Sequence, residues 1–140
     1  MKFAYAIVYV ADVSDTLMFY QRAFGFAPRF LHESGQYGEL DTGATTLAFA
    51  SHALGDSHFG ATGYQKLDPA SPPPAIELAF VCSDVTAAYG QAVAAGASAL
   101  AEPALKPWGQ VVADVRAAEG TLIELCSPMG GSGAEDGSEA

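Results

Sequence analysis

Apolar and polar positions alternate in blocks that repeat once along the chain. Residues 3–10 (FAYAIVYV) are aromatic, apolar and β-branched, the pattern of a buried strand. Asp12 and Val13 lead into SDTLMFYQRAF, where Leu17, Tyr20 and Phe24 recur at helical spacing. Asp12 or Ser14 can cap that helix, and Gly25 can end it. Strands are predicted over 26–33 and 37–41, around a hairpin turn at Ser34-Gly35-Gln36. Another is predicted over 45–50, after Thr42-Gly43-Ala44. The order is βαβββ.

The second half reads the same way. Residues 76–82 predict a strand, and Asp84-Val85 opens a helix (AAYGQAVAA) that ends at Gly96. Strands follow over 98–101, 110–116 and 121–126, the last two joined by a turn at Glu119-Gly120. Module one therefore spans 3–52 and module two 76–128, within a single domain over 1–128. Between them, 53–75 is rich in Gly, Ser and Pro and reads as a crossover linker or lid. Residues 129–140 read as a disordered acidic tail.

Half of the 140 residues are apolar and 16% are charged, which excludes wholesale disorder. Six Lys and Arg against 16 Asp and Glu give a net charge of -10. Nucleic acid and anionic membranes need a basic footprint and are excluded as partners. A cationic or neutral small molecule is compatible with that charge. Cys82 and Cys126 form neither a disulfide scaffold nor a CxxC pair, and no Cys/His spacing fits zinc. With no signal-peptide pattern and no apolar run long enough to span a bilayer, the expected location is the cytoplasm.

Two βαβββ halves, Asp-Val before each helix, FY in the first helix and GTLIEL in the last strand resemble the vicinal oxygen chelate superfamily. That superfamily includes glyoxalase I, bleomycin-resistance proteins and extradiol dioxygenases, and the resemblance covers about residues 3–128. It implies an α+β fold in which two modules form a curled mixed sheet around a cleft, commonly as a homodimer. It also implies a metal ligand on the first and last strand of each module. Superposing Asp12 on Asp84 brings Tyr5 onto Glu77, and superposing Thr46-Leu47 on Thr121-Leu122 brings Phe49 onto Glu124. Glu124 suits a metal and Glu77 is a carboxylate where His is common, but Tyr5 is a poor ligand and Phe49 cannot coordinate. His32, His52 and His58 do not fall on these positions, though His52 lies close after Phe49. The expectation is a metal-free protein without a cofactor.

Strand parity places Ile7 and Tyr9 with Tyr5, and Leu47 and Ser51 with Phe49, on the cleft side. Ala79 and Val81 fall with Glu77, and Leu122 and Cys126 with Glu124. The expected ligand-binding residues are Tyr5, Ile7, Tyr9, Tyr37, Phe49, Ser51, Glu77, Trp108 and Glu124, with aromatic walls for a flat ligand and acids for a donor or cation. No catalytic residue is assigned. The resemblance is nearest to the metal-free antibiotic-binding members, which sequester an aromatic or cationic molecule. The alternatives are a glyoxalase-like lyase or isomerase or a dioxygenase, with Glu77 and Glu124 as metal ligands or general base, and a regulatory subunit with a filled cleft.

Overall fold

The computed structural model describes residues 1–129; of the expected disordered tail over 129–140, all but Met129 lies outside the described residues. The chain divides into two compact units, Met1–Asp68 and Pro69 onward, a boundary inside the expected linker.

Unit 1 runs β1 (Tyr5–Val10), α1 (Val13–Phe24), β2 (Pro28–Leu31), β3 (Tyr37–Leu40), β4 (Thr46–Ser51) and α2 (His52–Phe59). Its four-stranded mixed sheet has the order β1-β4-β3-β2, with β1 parallel to β4 and the other neighbours antiparallel. Asp12 caps α1, its carboxylate accepting from the Asp15 amide at 2.9 Å. Gly25 closes the helix with φ of 78°, a left-handed conformation that costs glycine little. The apolar stripe of α1 (Val13, Leu17, Tyr20) packs on β3 and β4, where the Tyr20 and Phe49 rings lie 4.8 Å apart. Gly38 on β3 permits this close seat, since a Cβ there would stand 2.7 Å from Leu17 Cδ1.

Unit 2 runs β5 (Glu77–Val81), α3 (Val85–Ala94), β6 (Ser98–Leu105), β7 (Val111–Arg116) and β8 (Leu122–Cys126). The same sheet recurs in the order β5-β8-β7-β6, with β5 parallel to β8. Asp84 repeats the role of Asp12, accepting from the Ala87 amide at 3.0 Å. Beneath α3, Ala113, Val115, Ile123 and Leu125 are almost fully buried. Both cysteines are free.

Two expectations need correction. Residues 53–59, expected as the start of a crossover linker or lid, are helical within α2, because Ser51 caps it through Leu54 N at 3.1 Å and Gly55 inside it meets aromatic rings closely. Strand β6 continues to Leu105 instead of stopping at 101, through two irregularities in its pairing with β7.

Candidate functional site

Each sheet has one face under its helix and one face away from it, and the pairing registers decide which residues share each. In unit 1, Tyr5, Ile7 and Tyr9 pair with Thr46, Ala48 and Ala50, while Val8 pairs with Phe49 and Val10 with Ser51. Paired residues point to the same side of a sheet. Phe49 therefore lies on the helix-covered face, fully buried, and not with Tyr5 as expected. Leu47 and Ser51 go with it. Ser51 spends its hydroxyl on the α2 cap. The residue level with Glu124 is Ala48: Ile7 pairs with Ala48 as Ala79 pairs with Glu124. The matching Thr-Leu dipeptides used to align the halves are one residue out of step with the pairing.

The face of unit 1 away from α1 carries Tyr5 and Ile7, both about half exposed, with Tyr9, Tyr37 and Glu39. The Tyr37 hydroxyl donates to Glu39 Oε2 at 2.8 Å. Glu39 Oε1 accepts from Arg29 Nη2 at 3.0 Å, and the same nitrogen donates to Thr46 Oγ1 at 2.6 Å. Burial, and then the hydrogen bond to Glu39, push the Tyr37 phenol well above its usual pKa, so it is a neutral donor at any physiological pH. Arg29 and Glu39 went unnoticed in the sequence. The i, i+2 spacing of Tyr37 and Glu39 was the available signal.

In unit 2 the corresponding face carries Glu77, Glu124 and Asp114. One oxygen from each lies within 4.8 Å of the others. Asp114 pairs with Glu124 across the β7–β8 hairpin, a register readable from the turn at Glu119-Gly120 but not drawn from it. Although Glu77 is exposed as a residue, burial of its carboxyl and the charges of Glu124 and Asp114 raise its pKa. Burial and Glu124 raise that of Asp114, against the pull of Lys106. Cys126, on the same face, is pushed up to about 11 by burial and Glu124, so it remains a thiol. Trp108 is exposed in the β6–β7 turn, its indole N–H donating to Gln110 Oε1 at 2.8 Å. Of the histidines, His32 accepts from the Ser34 amide in its own turn, His58 is exposed, and His52 Nε2 is buried without a partner.

The sequence profile of the Glyoxalase/Bleomycin resistance protein/Dioxygenase superfamily matches residues 2–125. The chain belongs to that superfamily. Solved structures show the same fold. A glyoxalase/bleomycin resistance protein/dioxygenase family enzyme from Burkholderia phytofirmans superposes with a TM-score of 0.77 at 22% identity, covering 91% of this chain and 98% of its own. A glyoxalase-related enzyme from Fulvimarina pelagi gives 0.74 at 21% identity, over 89% and 86% of the two chains. TioX from a Micromonospora species gives 0.67 at 22%, over 91% and 98%. No curated protein matches.

The metal set that the superfamily resemblance implies does not fit these residues. Register puts Tyr5 and Ala48 at the two positions of unit 1, and neither is a serviceable ligand for a divalent ion. What the chain offers instead is an all-oxygen trio within unit 2. No helix among the described residues is long and apolar enough to cross a membrane.

Proposed function

We propose that the chain is a small-molecule binding protein whose ligand carries a cationic group. The observation that carries this reading is the carboxylate trio Glu77, Asp114 and Glu124, on a face shared with Val81, Leu122 and Arg116, whose guanidinium donates to the carbonyls of Gly120, Pro69 and Ser71. Burial, and then the mutual repulsion of acids this close, raises the pKa of Glu77 and Asp114, and a bound cation relieves the repulsion. Val81 and Leu122 on the same face suit an apolar body beside the charge. The face of Tyr5, Ile7 and Tyr37 in unit 1 offers a stacking surface for a flat ligand. A net charge of -10 favours the encounter with a cation. Sequestration without chemical change is the function, as the resemblance to bleomycin-resistance proteins implies.

Titration calorimetry with 2-naphthylmethylammonium and the neutral 2-naphthylmethanol tests it. The ammonium compound should bind at least about tenfold more tightly, or about 1.4 kcal/mol. Glu124→Gln should remove most of that preference, and added salt should narrow it. Equal affinity for both compounds would sink the cationic reading. A second reading, a hard divalent ion on the same three oxygens, is favoured by their spacing. Binding of Mn²⁺ or Mg²⁺ with no organic ammonium bound would establish it in place of the first.

A further inference from the structure

We infer that residues 52–66 form a strap over the Tyr9 end of the aromatic face of unit 1, its two arms clasped to each other, and that opening the clasp admits a ligand to that end. The inference rests on the reading of that face as a ligand surface.

The seat of the strap is built into the sequence. Tyr9 shares the face of Tyr5 and Ile7, and at its end of the sheet two rings of the strap close on it. Phe59 meets the Tyr9 ring edge-on at 5.8 Å, and Tyr64 lies at 5.7 Å. Gly55 makes room for both tyrosines: a Cβ there would stand 2.7 Å from the Tyr64 oxygen and 2.9 Å from Tyr9 Cδ1. Gly63 lies so close to the Phe59 carbonyl that no side chain fits. The strap is thus shaped to return onto the sheet, where it covers Tyr9 and leaves Tyr5 and Ile7 half exposed.

The fastening is polar and superficial. Lys66 Nζ lies 3.0 Å from Asp56 Oδ1 and 4.5 Å from the centre of the Tyr64 ring. The Tyr64 hydroxyl lies 2.9 Å from the same Asp56 oxygen. Both partners of the ion pair keep 36% of their side-chain surface in solvent, a setting in which ion pairs hold weakly. Gly55 is the one residue of α2 that is buried, and Phe59 stays more than half exposed. A segment with so little buried surface opens locally at much lower cost than its sheet unfolds. Gly60, with φ of 85° just after the helix, is a ready hinge.

Hydrogen exchange and stopped-flow binding, applied to the wild type, Lys66→Gln and Asp56→Asn, test the strap. Amides of residues 52–66 should exchange at least about tenfold faster in both variants while those of β4 and β1 stay unchanged. The association rate of 2-naphthylmethanol should rise several-fold in both. Unchanged exchange in 52–66, or equal acceleration in the strands, would overturn the clasp and leave the ligand reading standing. Faster exchange without faster association would overturn the gating. Absence of binding to all three proteins would defeat the ligand reading of this face and the gating with it.

Discussion

Glu77 and Asp114 hold protons more tightly in the folded chain than an unfolded carboxyl does, which makes this corner cost stability at neutral pH. The folded state binds more protons than the unfolded one between the ordinary carboxylate pKa, about 4, and the raised folded values. Within that window stability falls as pH rises, and above it the loss is complete. A carboxylate paired with a cation behaves in the opposite way. Glu77→Gln removes the group whose raised pKa follows from burial and from Glu124 and Asp114. It should therefore raise the melting temperature at pH 7 and change it little at pH 4. A melting temperature that falls at pH 7 would show the trio to be attractive, held together by a cation carried through purification. Glu77 and Glu124 were legible as a pair from the superfamily resemblance, which implies a ligand on the first and last strand of a module. Asp114 was not, because a residue on the third strand joins the pair only through hairpin register.

Strand β4 shows where pattern stops specifying an element. Leu47, Ala48, Phe49 and Ala50 are all buried, so the strand has no polar side to betray its orientation. Strands buried on both faces read as continuous apolar runs, and parity must come from the partner strand. Phe49 packs against Tyr20 of α1 and has no exposed surface. Phe49→Ala should then cost about 3 to 5 kcal/mol in chemical denaturation, the range for a buried Phe. Tyr5→Ala, on a half-exposed ring, should cost under about 1 kcal/mol. Comparable losses from the two would contradict the register. Helix α1 was legible almost to the residue, because Asp12, the 3.6-residue stripe and Gly25 all agree. Helix α2 was hidden by Gly55, a breaker by propensity that is retained for the approach of Tyr9 and Tyr64.

At the scale of the whole molecule, the duplicated βαβββ order was the most legible feature. It carries through in both sheets, each with its first and last strands parallel and adjacent. The duplication has a consequence for assembly. Strands β1 and β5 are terminal in their sheets, and their neighbourhood leaves Ile7, Ile76 and Val81 exposed, with Leu105 exposed on the β6 edge. Edge strands flanked by uncovered apolar side chains pair readily with another chain, and closed two-fold assembly is the commonest outcome. We expect a homodimer. Sedimentation at tens of micromolar should give twice the mass of the chain, and Val81→Lys, which puts a cation on the β5 edge, should shift it towards the monomer. Removing residues 130–140, which carry no apolar cluster to bury, should leave the dimer intact. A wild-type monomer at that concentration would defeat the proposal, and a dimer indifferent to Val81→Lys would move the interface away from β5.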